Sequence, residues 1–241
     1  MPPGYFDELV KLHRIAQKIP LGSIRRRRIN FNAVPIPAGA HVAGGSDESL
    51  VVYQPATDSM WEFWLMHQAP NGWHARWGGK ISHVSTNPGY LPNPYGGTAS
   101  SLPLVGGLIT AKELASGQIN HALSLALPNT AAGRFTWPAQ RTDGRDTGAD
   151  AIPEGTRFRI NPNVNLSALH LTPAGLAIAR AAQRYGIIVN NTSSCIVFYA
   201  EDPVTMSSNP YPGLFGGLYP NQALSGFPWQ ALQVVTPSPG S

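Results

Sequence analysis

In "SMWEFWLMH", Trp61, Phe63, Leu65 and His67 alternate with Met60, Glu62, Trp64 and Met66. A period of two is the pattern of a strand with two distinct faces. "SLVVYQP" before it has the same texture and is joined to it by a short "ATD" turn. "APNG" then turns the chain, and "WHARWGG" begins the return. The region predicts strands joined as hairpins. "QINHALSLALP" predicts a central strand, with Ile119, His121, Leu123, Leu125 and Leu127 on one face and Asn120, Ala122, Ser124 and Ala126 on the other. "TRFRI" is a short strand with Arg157 and Arg159 sharing a face. "IIVNNTSSCIVFYAED" reads as two strands around an Asn-Asn turn, and "FPWQALQVV" as a last strand or docking segment.

Three segments carry the helical period instead. Tyr5, Leu9, Leu12, Ala16 and Ile19 step by four and three along one side, with Pro20 as the stop. In "TAKELASG", Thr110 and Glu113 form a capping-box pattern closed by Gly117. In "TPAGLAIARAAQRYG", Thr172 caps, Pro173 opens the first turn and Gly186 ends the helix. "NPGYLPNPYGGTASSLP" and "FTWPAQRTDGRDTGADAIPEG" are long loops, too rich in Gly and Pro or in polar residues for a regular element. Short strands, long loops and few helices predict a mainly β fold, a β-sandwich or concanavalin-like jelly roll. Residues 1–29 are expected to form a docking or assembly arm, a helix followed by a basic linker. Residues 30–241 are expected to be a single β-sandwich domain.

Composition sharpens this picture. Charged residues are 12% of the chain, while Gly and Pro number 25 and 23, a turn-rich globular texture. The formal net charge of +4 rests on "RRRR" at Arg25 to Arg28; without it the body is near neutral, so a nucleic-acid partner is not expected. Cys195 is the single cysteine, which excludes an internal disulfide; in "CIVFYA" it is expected to be a buried small residue. No apolar run approaches the roughly 20 residues of a membrane span. No zinc spacing, phosphate loop or hydrolase elbow is present, so no metal or cofactor is expected. The double glycines Gly78-Gly79, Gly96-Gly97, Gly106-Gly107 and Gly216-Gly217 are expected to serve tight turns and close strand approach.

The candidate chemistry falls into three classes. Indole faces stack on sugar rings while Arg, His and Asp meet the hydroxyls, which makes Trp64, Trp73, Trp77, Tyr90, His74, Arg76, Arg141 and Asp143 candidate contacts for a glycan. A glycoside hydrolase needs two carboxylates. Glu62, set among aromatics, and Asp143 are the candidates, with His74 as a further working group. A lyase would draw on His74, His121, Tyr90, Arg76 and Arg141, although His121 reads more simply as a core histidine. In the third class every aromatic is core and the chain is a structural subunit.

The stretches "YQPATDSMWEFW", "GWHARWGGKISHVS", "GGTASSLPLVGGLIT", "INHALSLALP", "WPAQRTDG", "IPEGTRFRINP" and "AAQRYGIIV" together resemble a family of secreted actinobacterial proteins and tail-associated proteins of phages that infect actinobacteria. The resemblance covers about Ala33 to Val235. It implies no assigned activity and no catalytic residue. It implies a protein of the cell surface or of a virion tail, with an envelope polysaccharide as partner, and other tail proteins or further copies meeting the N-terminal helix. This chain departs from the family in opening on a short helix and an arginine linker rather than on a leader. That suits a virion component released by lysis.

Overall fold

The computed structural model describes Phe31 and residues 33–235. The Tyr5–Ile19 helix and the arginine linker lie outside the described residues.

The alternating region folds as strands β1 (Leu50–Gln54) and β2 (Ser59–Trp64), a tight hairpin of β3 (His67–Ala69) and β4 (Gly72–His74), and β5 (Trp77–Ser82). β1, β2 and β5 make an antiparallel three-stranded sheet with β2 in the centre. The alternation in "SMWEFWLMH" does not run its full length. Leu65 takes a left-handed backbone, φ 50°, which ends β2 and rotates the chain. Met66 thereby joins Trp61, Phe63 and Val52 in one buried cluster instead of facing away from them. Met60, on the opposite face of β2, packs with Ile81 and Leu91.

The second half begins with helix α1 (Ala111–Ser116), whose Thr110–Glu113 capping box and Gly117 stop are both formed. It continues through β6 (Leu123–Leu127), β7 (Thr130–Phe135), β8 (Ile152–Glu154), β9 (Arg157–Ile160), α2 (Pro173–Arg184), β10 (Ile187–Thr192), β11 (Val197–Phe198), α3 (Tyr211–Leu214), α4 (Pro220–Ala223) and β12 (Leu232–Val235). Five strands form one mixed sheet in the order β11-β6-β10-β9-β12, with β6 and β10 parallel. β7 and β8 pair separately as a parallel two-stranded ribbon. The loop expected over "FTWPAQRTDGRDTGADAIPEG" is therefore bounded by strands at both ends.

This architecture overturns the β-sandwich or jelly-roll expectation. The chain is mixed α/β, with 20% helix and 27% strand in four separate, unclosed sheets. The physical reason lies in β6. All five of its residues are buried, on both faces, as a parallel partner requires. Leu123, Leu125 and Leu127 pack into the main core with Ile187, Val189 and the Ala177, Ile178, Ala181 side of α2. On the other face Ser124 lies against the Gly107 turn, its N–H donating to the Gly107 carbonyl at 3.1 Å. The strand starts at Leu123, so Ile119 and His121 are not part of it. The Asn-Asn pair is likewise not a turn: Asn190 and Asn191 lie within β10, with a bulge between Val189 and Asn191 in the pairing to β6. Cys195 is half-buried just before β11, not inside an apolar strand.

α2 owes its position to its small buried side, Ala174, Gly175, Ala177, Ala181 and Ala182, which lets it lie close to the sheet. Thr172 Oγ accepts from the Gly175 N–H at 2.9 Å and donates to the Ala223 carbonyl at 2.6 Å, tying the helix start to α4. Thr172→Ala is expected to cost about 1–2 kcal/mol of stability from the lost cap and the stranded carbonyl. Urea unfolding measures it, and a change under about 0.3 kcal/mol would remove the cap from the account.

Candidate functional site

The candidate residues divide into two regions. Trp64, Trp73, Trp77, His74 and Arg76 belong to the hairpin half. Trp64 donates its indole N–H to Asp47 at 2.9 Å, and the Arg76 guanidinium lies 5.7 Å from its ring centre. Trp77 donates to the Pro94 carbonyl at 2.9 Å and stacks on Tyr95. Trp73 packs against the Trp61–Phe63 cluster and lines an open cleft of about 580 Å3 with Ile36, His41, Glu48, Met66 and His67. His74 Nε2 donates to Asn71 Oδ1 at 2.8 Å, and the ring stacks on His67. Most of these groups are thus engaged within the protein. His121 is partnered too, with the Ala122 carbonyl at 2.9 Å and Glu113 at 3.0 Å.

Glu62, Tyr90, Arg141 and Asp143 converge elsewhere, around the loop 96–104. Glu62 points from the middle of β2 into the protein and is fully buried. Its Oε1 accepts from the Gly97 N–H at 2.5 Å and its Oε2 from the Leu104 N–H at 2.8 Å. The backbone can come this close because Gly79 and Gly96 lack side chains: a Cβ on Gly79 would sit 2.3 Å from Leu91 and 2.8 Å from the Gly96 nitrogen. Burial pushes the Glu62 carboxyl up to about 7, while the two N–H groups and the Arg141 charge pull it down. With no exposed surface and both oxygens occupied, Glu62 acts as a clasp for the loop.

The other side of the loop is held by the second half of the chain. Arg141 donates from Nε to Ser101 Oγ at 2.9 Å and from Nη2 to the Thr98 carbonyl at 2.6 Å. Ser100 Oγ donates to the Asn190 carbonyl at 2.6 Å, and the Ala99 N–H to Asn191 Oδ1 at 3.2 Å. The loop therefore bridges β2 of one sheet and β10 of the other. Burial draws the Arg141 guanidinium below its usual value, opposed by the charges of Asp143, Glu154 and Glu62. Glu62 and Asp143, paired by the sequence as two working carboxylates, share no hydrogen-bond partner among the described residues; both charges act on Arg141. His74 shares no hydrogen bond with either among the described residues.

Asp143 has a different carboxyl partner. Glu154, at the end of β8, is fully buried, and burial together with the neighbouring Asp143 raises its carboxyl well above the usual range. Glu154 escaped the sequence reading because "IPEG" looks like open loop; its isoleucine and the strand-like "TRFRI" that follows are the only signals of burial there. Trp137 is hidden in the sequence for the converse reason, since it lies outside the alternating strands. Of the six tryptophans it alone is exposed, at 54%. A tryptophan inside a Pro-rich polar loop, with no apolar partner in register, is the signal that marks it. Tyr90 meets the Trp137 ring edge to face, 4.8 Å between centres and 73° between planes.

The loop carrying Trp137 is pinned along its length. Thr136 N–H donates to the Glu154 carbonyl at 2.8 Å, Ala139 N–H to Thr136 at 3.0 Å, and Gln140 N–H to Ser100 at 2.9 Å. Trp137 and Tyr90 thus meet at one end of this loop, and Arg141 and exposed Asp143 follow further along it.

Among the described residues no group of three or more His, Cys, Asp or Glu is placed to hold a metal ion, and no helix is long and apolar enough to cross a membrane. No protein-family model, curated protein or solved structure matches the chain.

Proposed function

We propose that the protein recognises a polysaccharide of the bacterial envelope, as a cell-surface or phage-tail-associated protein. One observation carries the reading: Trp137 is the single exposed indole, with Tyr90 against it, Asp143 on the same loop and the neighbouring backbone hydrogen-bonded at Thr136, Ala139 and Gln140. A fixed aromatic face beside polar side chains suits a sugar ring, whose axial hydrogens meet the π-face and whose hydroxyls meet charged or amide groups. Because the ring is already in place, little conformational entropy is lost on binding. The family resemblance of the chain points the same way, to an envelope partner.

The test is retention of the purified protein on actinobacterial arabinogalactan and a panel of other wall glycans. Trp137→Ala is expected to weaken retention about tenfold or more, a loss of about 1.4 kcal/mol or above, while leaving the unfolding midpoint nearly unchanged. Trp77→Ala serves as the contrast: its indole bonds inside the protein, so stability falls first. Equal retention by wild type and Trp137→Ala would remove Trp137 from the contact surface. Absence of retention across the panel would remove the glycan reading.

A further inference from the structure

We propose that Glu154 is held as a neutral acid that donates its proton to Asp143, and that this shared proton latches the 136–143 loop onto β7 and β10, releasing it as the solution turns alkaline.

The hydrogen-bond directions argue for it. Thr192 Oγ donates to Asp143 Oδ1 at 2.6 Å. That uses the one Thr192 proton, so in the contact between Thr130 Oγ and Thr192 Oγ the donor is Thr130. Protons therefore run from Thr130 on β7, through Thr192 on β10, to Asp143. Glu154 Oε1 lies 3.5 Å from the same Thr192 oxygen, and Glu154 Oε2 is buried with no partner. A buried carboxylate oxygen left bare is costly. A carboxyl O–H there, donating to the neighbouring Asp143, removes that cost and completes the chain of donors. Two ionised carboxylates on the same threonine hydroxyl would repel instead.

The other charged groups nearby do not supply this proton. Arg141 faces both acids, but its Nε and Nη2 hydrogens go to Ser101 and Thr98. Glu62 acts on the pair only through Arg141. Tyr199 keeps its proton, burial pushing it up to about 12, and its hydroxyl accepts from Asn191. The direction follows: a carboxyl raised on folding stabilises fully below its unfolded pKa, and that stability is lost as pH rises through the raised value. Burial and Asp143 both raise Glu154. The inference concerns the protein alone and stands whether or not Trp137 meets a glycan.

The experiment follows the carbonyl absorption of protonated carboxyl groups by infrared titration from about pH 5 to about pH 9.5, alongside thermal unfolding over that range. In wild type a protonated band persists above neutrality and its loss coincides with a falling midpoint. Glu154→Gln, whose amide still donates to Asp143 at every pH, is expected to lose the part of that band that outlasts Glu62 and to flatten the alkaline fall, leaving in both signals only the part that belongs to Glu62. A wild type without such a band above neutrality, or a Glu154→Gln protein with the full alkaline fall, would overturn the latch. Should Glu154→Gln fail to fold, Asp143→Asn decides. Without the neighbouring charge the Glu154 band is expected to titrate at lower pH, and an unmoved band would refute the shared proton.

Discussion

Replacing Glu62 with alanine is expected to destabilise the protein by about 3 kcal/mol or more, because two partly buried N–H groups lose their acceptor at about 1–3 kcal/mol each and Arg141 loses a compensating charge. The donors are those of Gly97 and Leu104. Glu62→Gln keeps the volume but turns one oxygen into an N–H donor, which would face another donor. It is expected to lose roughly half as much. Both are read by urea unfolding near neutral pH. An alanine variant within about 1 kcal/mol of wild type would mean that the loop is held from the Arg141 side alone. The clasp also carries a pH signature. The Glu62 carboxyl is raised from 4.5 to about 7, so its contribution is complete below about pH 4.5 and declines as pH rises through 7. Glu62→Gln removes that slope.

The second large effect is expected from Gly155→Ala. Gly155 has φ 91°, and a Cβ there would stand 1.8 Å from the Thr136 carbonyl oxygen and 3.0 Å from the Ala139 side chain. The backbone segments themselves must part, which breaks the Thr136–Glu154 bond and strains the Gly155–Val189 bond. A loss of about 3 kcal/mol or a failure to fold is expected. Trp137 follows Thr136 directly, so any folded fraction should also lose glycan retention. Gly133→Ala is the control: its φ is also positive, at 63°, but nothing lies within 4 Å of the added carbon. It should cost only about 1 kcal/mol. Similar losses in the two variants would show that left-handed backbone, not the close crossing, sets the penalty at Gly155.

How much of this was legible in the sequence depends on the range of the interaction. The α1 capping box and the Thr172–Pro173 start of α2 are signals read within a few residues, and both formed. The "TRFRI" strand formed for the same reason. The alternation through Trp61 and Phe63 was local as well, but its end at Leu65 was not, since nothing in the residue announces a left-handed backbone. The fold class failed on a non-local fact. "LSLAL" alternates and so looks half-exposed; its small Ser and Ala face is in truth buried under the Gly107 turn, and its parallel partner lies far along the chain. The site divided in the same way. Tyr90, Arg141 and Asp143 were visible as residue types, but their meeting place depends on loop 96–104, which bridges two sheets by backbone groups that carry no sequence signature. Glu154 meets Thr192, a residue distant in sequence.

The parallel pairing of β6 with β10 has a bearing on how the chain is made. Leu123 finds its partner, Ile187, only when about sixty further residues have been synthesised. Until then a nascent chain leaving the ribosome carries "LSLAL" with neither α2 nor β10 to cover it. Closing so long a loop is slow compared with forming the β1–β2 hairpin, whose pairs are a few residues apart. The three-stranded sheet can therefore assemble first, and the five-stranded sheet waits on the emergence of β10. In that interval the bare edge and apolar face of β6 are open to pairing with a neighbouring copy.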